Sequence, residues 1–108
     1  MTLVLGEGLT VLILVLTVTA YCGCADCTAP YNDGITAMGT RVQEGRTVAA
    51  GPSIPFGTLI HISSVGWRVV EDRGGAITDS RLDLYFDSHS DALRFGVREL
   101  TVFILERR

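Results

Sequence analysis

The sequence of 108 residues contains no lysine, and all nine of its basic residues are arginine. These arginines are spread among twelve acidic residues, which leaves a formal net charge of -3 and no basic stripe. Proteins that bind a phosphate backbone normally concentrate lysine and arginine on one face. The charge pattern therefore argues against nucleic acid as a partner.

The sequence also lacks an apolar run of the roughly 20 residues that a helix needs to cross a bilayer. Its longest apolar stretch, residues 9–20, is preceded by Glu7 and not by the positive charges of a secretory signal. Residues 15–21 are rich in β-branched side chains and favour a first strand. We expect residues 1–14 to be an apolar segment, either a signal or anchor or the start of that strand, and residues 15–108 to form one domain. Membrane contact is expected only through the N-terminal segment.

Cysteine is scarce and confined to one C-x-C-x-x-C run, which comprises Cys22, Cys24 and Cys27. Such a run can hold a metal, form one disulfide such as Cys24 to Cys27, or pack as small apolar groups. A structural zinc site needs four ligands, and the fourth would have to come from Asp26, His61 or His89. The expectation from sequence is no metal and no cofactor.

Twelve glycines and three prolines divide the chain into short segments, as is typical of an all-β domain with many turns. After the first strand we predict a long ordered loop over residues 21–45 and one short helix over 88–95, with Ser88 as N-cap and Gly96 as its end. Trp67 is predicted to lie in the core, and the alternative is that it stacks on a sugar ring. The further predicted strands are residues 47–50, 58–62, 67–71, 81–86 and 100–105.

Alternation in residues 81–86 places Leu82, Leu84 and Phe86 on one face, and Arg81, Asp83 and Tyr85 on the other. Asp83 is thus predicted to point away from the core. Taken alone, a carboxylate in that position is most often solvated or paired with a neighbouring arginine, here Arg81.

Six segments, in this order, resemble the three-aspartate (3D) domain found in membrane-bound lytic transglycosylase A, in wall-remodelling proteins of spore-forming bacteria and in many phage-encoded proteins. They are TAYCGC at 19–24, GITAMGT at 34–40, TVAA at 47–50, IPFGT at 54–58, EDRGGAI at 71–77 and RLDLYF at 81–86. The resemblance implies a six-stranded double-psi β-barrel with one short helix and a groove for glycan strands. It also implies an extracytoplasmic or phage-delivered protein whose partner is peptidoglycan.

The same resemblance implies a lytic transglycosylase, which cleaves the bond between N-acetylmuramic acid and N-acetylglucosamine and leaves a 1,6-anhydro end. The second and third family aspartates match Asp72 and Asp83, and the third is the acid and base. The first is replaced by Gly51, where the family usually has Asp-Pro. Two carboxylates close together in a partly dry groove cannot both ionise cheaply, so one keeps its proton.

Four further residues are expected to bind substrate. Thr36 and Thr40 are hydroxyl donors in the long loop, and Gly74 and Gly75 follow Asp72 in a turn that can present backbone N–H groups. The alternative roles are local turn hydrogen bonds for the threonines and turn capping for Asp72.

Two alternative functions remain open. The loss of the first aspartate is compatible with a module that binds peptidoglycan without cutting it. Hydrolysis by two carboxylates is the other, and it would release reducing ends instead of anhydro ends.

Overall fold

The computed structural model describes residues 1–24, 33–74 and 77–107, and these residues form seven strands and one helix. In chain order the elements are β1 (Thr2–Gly6), β2 (Leu9–Tyr21), β3 (Thr47–Ala49), β4 (Leu59–Ile62), β5 (Gly66–Asp72), β6 (Arg81–Tyr85), α1 (His89–Phe95) and β7 (Arg98–Arg107). The later strand boundaries predicted from sequence are correct to within two residues.

Six of the strands close into a barrel. The order of neighbours is β2, β6, β3, β5, β4 and β7, and the antiparallel pairing of β7 with β2 completes the ring. The β2–β6 and β3–β5 pairs are parallel, and the other pairs in the ring are antiparallel. The predicted all-β fold with a six-stranded barrel and one short helix is confirmed. The double-psi arrangement of its connections stays a prediction.

The first strand begins six residues earlier than the sequence pattern suggested. Strand β2 starts at Leu9, and a turn at residues 7–8 connects it to the exposed strand β1, which pairs with its first part. Residues 9–14 contain three leucines, and leucine favours a strand less than the valines and threonines that follow. No helix in the described part of the chain is long and apolar enough to span a membrane.

Aliphatic side chains from every barrel strand fill the interior. The alternation predicted for β6 holds for Leu82 and Leu84, which are fully buried inside. Tyr85 is also buried although it has the opposite orientation, because its ring lies edge-on to Tyr21 at 5.4 Å. The core comprises Leu16, Val18, Val48, Ala50, Ile54, Ile60, Ile62, Val70, Leu82, Leu84, Phe95, Val102 and Ile104.

Trp67 is not part of this core, and the prediction that it would be is wrong. Its side chain is 52% exposed at the start of β5, edge-on to His61 at 5.0 Å. Val70 of β5 points into the barrel interior. Residues 67 and 70 lie on opposite faces of the strand, so Trp67 points outward.

Helix α1 has the ends that the sequence predicts. The Ser88 side chain accepts a hydrogen bond from the Asp91 backbone N–H, and Gly96 ends the helix at a φ of 68°. Ala92 and Phe95 are its buried residues. The helix directly follows β6, so its first turn lies near the end of that strand.

Candidate functional site

The two candidate acids lie in one row of side chains that crosses four strands. Thr19 of β2 is opposite Asp83 of β6, and Ala49 of β3 is opposite both Asp83 and Asp72 of β5. Opposed residues point to the same face of a sheet, and the neighbours of Asp83 along β6 fill the interior. The row therefore lies on the outer face. With strands spaced about 4.8 Å apart, the backbones of Asp72 and Asp83 are about 10 Å apart.

A β-bulge brings Asp72 into this row. Val48 is opposite Val70, but the next residue, Ala49, is opposite Asp72, so Glu71 is the extra residue. A bulge turns the residue after it to the other face. Without this extra residue, Asp72 would not share a face with Asp83.

Three donors fix the Asp72 carboxylate. The Tyr21 hydroxyl donates to Oδ2 at 2.7 Å, and the backbone N–H groups of Ala37 and Arg73 donate to Oδ1 at 2.9 and 3.0 Å. The Arg73 contact is the local turn bond expected if Asp72 caps its own turn. The Tyr21 and Ala37 contacts join Asp72 to two other parts of the chain, so the residue does more than cap.

Asp83 has a different environment. Its Oδ1 accepts a hydrogen bond from Thr19 Oγ1 at 3.0 Å, and Arg81 Nε donates to that same hydroxyl oxygen at 3.0 Å. Burial raises the pKa of Asp83 above its ordinary value, against the opposing effects of the Thr19 bond and the Arg81 charge, and the charge of Asp72 adds to the rise. Among the described residues Arg81 forms no ion pair with Asp83.

The Tyr21 hydroxyl stays protonated. Burial raises its pKa, and the hydrogen bond to Asp72 and the negative charge of Asp72 raise it further. Tyr21 is therefore a permanent donor to Asp72 across the whole physiological range. The Tyr21 ring also packs edge-on against the ring of Tyr85.

The loop that carries Thr36 and Thr40 lies beside Asp72. The Met38 N–H donates to the Glu71 carbonyl at 2.9 Å, and Ala37 reaches the Asp72 carboxylate as described above. Thr36 is buried, and its hydroxyl lies 2.7 Å from that of Thr40. Both threonines thus make the local turn bonds that were the alternative, and their contact with substrate stays a prediction.

Of the two glycines predicted to bind substrate, Gly74 is exposed and Gly75 lies outside the described residues. A Cβ at Gly74 would lie 2.9 Å from the Ile77 side chain, and the Ile77 N–H donates to the Gly74 carbonyl at 3.0 Å. The tight turn explains why glycine stands at position 74. The predicted role of Gly74 in substrate binding stays a prediction.

Gly51, which the resemblance aligns with the first family aspartate, has no room for a side chain. A Cβ there would lie 2.3 Å from Oδ1 of Asp79 and 2.5 Å from the carbonyl carbon of Thr78. The same Asp79 oxygen accepts a hydrogen bond from the Ser53 N–H at 3.2 Å. A carboxylate from residue 79 therefore occupies the space next to residue 51.

A separate group of candidate metal ligands lies at the end of β2. It comprises Cys22, Cys24 and His89, whose ligand atoms all lie within 4.8 Å of one another. Cys27 and Asp26, named above as possible members of a zinc or disulfide site, lie outside the described residues.

Sequence reasoning missed Thr19, Tyr21 and Asp79. The first two had a detectable signal, because polar residues at alternate positions 17, 19 and 21 mark one face of an otherwise apolar strand. Asp79 had none, since its position beside Gly51 depends on a tertiary contact.

Fold and site together define a closed β-barrel with two unlike carboxylates on its outer face. Residues 46–106, more than half of the chain, match the family model of the 3D domain. The chain belongs to the 3D domain family, as the six sequence segments indicated.

The chain is similar to proteins that are named for the cell wall and to a solved structure. The chain is 29% identical over 98 residues to YabE of Bacillus subtilis (strain 168), provisionally named a cell wall shaping protein, with 86% of this chain and 23% of YabE covered. It is 31% identical over 100 residues to the cell wall-binding protein YocH of the same organism, with 85% and 32% covered. The crystal structure of MltA from E. coli shares the fold, with a TM-score of 0.55 and 21% identity over 68% of this chain and 28% of MltA. The chain thus spans a third or less of each of these proteins.

Proposed function

We propose that this barrel binds peptidoglycan glycan strands across the face that carries Asp72 and Asp83, and that it cleaves them as a lytic transglycosylase. The proposal rests on the observation that the two carboxylates have different surroundings. Asp72 accepts three hydrogen bonds, whereas burial and the Asp72 charge favour the protonated form of Asp83. Paired carboxylates with different environments are typical of acid and base roles.

In this mechanism Asp83 is the catalytic residue, and the reaction consumes no water molecule. It donates its proton to the glycosidic oxygen as the bond from the muramic C1 breaks. The 6-hydroxyl of the same muramic residue then forms a bond to C1, and the Asp83 carboxylate takes the hydroxyl proton. The proton is returned, and the products are a 1,6-anhydro end and a free 4-hydroxyl.

Asp72 is a positioning residue in this proposal. Its links to Tyr21 and Ala37 hold together the end of β2, the loop over residues 33–41 and the end of β5. Its negative charge also favours the oxocarbenium-like character that develops at C1.

Asp79 supports an active site in spite of Gly51. Asp79 supplies a carboxylate next to position 51, where the resemblance implies a family aspartate, and its Oδ1 lies 2.3 Å from the position of a Cβ on residue 51. Negative charge is thus retained near this part of the face, although it comes from a different loop.

The second candidate is a binding module. The name of YocH as a cell wall-binding protein and the replacement of the first family aspartate favour it. In both cases the protein would act outside the cytoplasm, at the cell wall, and delivery by a phage particle is compatible with either.

Incubation of the purified chain with peptidoglycan separates the candidates. We expect anhydromuramic ends by mass spectrometry, and Asp83→Asn should reduce their rate of formation by about 10²–10⁴-fold, with cosedimentation on the wall unchanged. Cosedimentation without anhydro ends would identify a binder, and reducing ends would identify a hydrolase. Absence of both binding and cleavage would reject the proposal.

A further inference from the structure

Cys22, Cys24 and His89 form a compact cluster of potential metal ligands outside the row of aspartates. The two sulfur atoms are 2.9 Å apart, and each lies 3.3 Å from Nδ1 of His89. Cys22 is 1% exposed, so the cluster is closed to solvent on that side. Three strong metal ligands therefore converge on one small volume.

Pairing in the barrel brings the cluster together. Tyr21 is opposite Tyr85 at the ends of the parallel strands β2 and β6, and the Phe86 N–H donates to the Tyr21 carbonyl at 2.8 Å. The chain after β2 and the start of α1 must therefore lie side by side. Cys22 and His89 meet although 67 residues separate them.

The distances suit a tetrahedral ion better than a disulfide. A disulfide needs sulfur atoms about 2.05 Å apart, which is shorter than the 2.9 Å between these two. Tetrahedral zinc with ordinary bond lengths places thiolate and imidazole ligand atoms about 3.5–3.8 Å apart. Outward movements of under about 1 Å would produce that geometry, and such movements need only small side-chain rotations.

Electrostatics point to the same ion. A buried thiolate without a counter-charge is costly, whereas two thiolates and a neutral imidazole balance the charge of one Zn²⁺. Soft sulfur ligands combined with imidazole select zinc over calcium or magnesium. The C-x-x-C spacing that places Cys27 three positions after Cys24 is common in structural zinc sites.

We infer that Cys22, Cys24 and His89 bind a Zn²⁺ ion, and that the fourth ligand comes from outside these three side chains. This differs from the expectation from sequence that no metal is bound. The ion joins the chain after β2 to the first turn of α1. Because Cys22 directly follows Tyr21, the site also holds in place the tyrosine that donates to Asp72. The inference does not depend on whether the protein cleaves glycan.

Metal content of the chain without an affinity tag, purified from medium that contains zinc, tests the site. We expect one zinc per chain by elemental mass spectrometry. Cys24→Ser and His89→Gln should reduce this content strongly. His61→Gln is the matched control, because His61 lies on β4 against Trp67 and Phe103 and should leave the zinc content unchanged.

A second measurement uses the wild-type chain and does not depend on the folding of a variant. Replacement of zinc by Co²⁺ should give the visible absorption of a tetrahedral ion with thiolate-to-cobalt charge transfer. Removal of the metal by a chelator should lower the melting temperature by more than about 5 °C. A chain that folds without metal and shows no cobalt–thiolate absorption would overturn the inference, as would a Cys22–Cys24 disulfide found by mass spectrometry in the protein as purified.

Discussion

Thr19 and Asp83 are directly opposed in the parallel ladder between β2 and β6, and the hydroxyl of the first donates to the carboxylate of the second at 3.0 Å. The bond favours the ionised form of Asp83 and so opposes the effect of burial on its pKa. Thr19 thus adjusts how readily the proposed acid keeps its proton. Its hydroxyl also separates the Arg81 guanidinium from that carboxylate.

Replacement of Thr19 by Val should raise the pKa of Asp83 further, because the charged form loses a hydrogen bond. The pH above which cleavage declines should move upward, since Asp83 would stay protonated to a higher pH. A carboxyl-carbon NMR titration and a pH profile of anhydro-end formation would measure the two shifts. Thr17→Val, on the same face of β2 but opposite Arg81, is the control. A downward shift instead would mean that Arg81 moves in to pair with Asp83.

Asp83→Asn should make the protein more stable at neutral pH. The pKa of Asp83 is raised in the folded state, so the folded chain binds this proton more tightly than the unfolded chain does. The contribution of Asp83 to stability is then fully present below the ordinary Asp value of 3.8 and is lost as pH rises through the higher folded pKa. Asn cannot ionise and avoids this decline.

Urea denaturation of both proteins at several pH values would test this sign. The advantage of the variant should be largest above the folded pKa of Asp83 and should disappear in strong acid. An advantage of equal size at all pH values would show that the effect comes from packing and not from ionisation.

Tyr21→Phe should destabilise the fold by about 1–3 kcal/mol, because the charged Asp72 loses a hydrogen bond at 2.7 Å. Cleavage should decline too, since Asp72 would hold the end of β2 less firmly. A double-mutant cycle with Asp72→Asn measures the coupling of the two side chains. A coupling energy near zero would contradict the proposed role of this bond.

Gly51→Ala should destabilise the protein by about 1–3 kcal/mol. The new Cβ would lie 2.3 Å from the Asp79 carboxylate and 2.6 Å from the Asp79 backbone nitrogen. Asp79→Gly in the same chain should relieve only the first of these contacts, so part of the loss should remain. Thermal melting of the two single variants and the double variant would show this pattern. Additive losses would mean that the two residues do not compete for space.

The barrel strands could be predicted from the sequence, and the two candidate acids were singled out for different reasons. Alternation identified the strand around Asp83, because Leu82 and Leu84 mark its inner face. The resemblance to the 3D domain identified Asp72, which no periodicity could have placed, since its orientation depends on the bulge at Glu71. Strand β1 was missed, and the first part of β2 was left open between a signal or anchor and the start of a strand, because pairing and not composition makes these segments strands.

Contacts between distant parts of the chain could not be chosen from sequence. His89 was named as one of three possible partners of the cysteines, but its contact with Cys22 follows from the parallel pairing of β2 with β6 and from no local pattern. The exclusion of a side chain at Gly51 likewise follows from its contact with residues 78 and 79.

The barrel closes where β2 pairs with β7. The chain runs within six residues from Thr19 and Tyr21 of β2 to Cys24, just beyond the end of that strand. A shift of one residue in the pairing of β2 would turn the side chains of Thr19 and Tyr21 to the other face of the sheet. The face that carries Asp72 and Asp83 and the cysteine cluster should consequently be lost together, in the same cooperative transition that opens the barrel, and not by separate local unfolding.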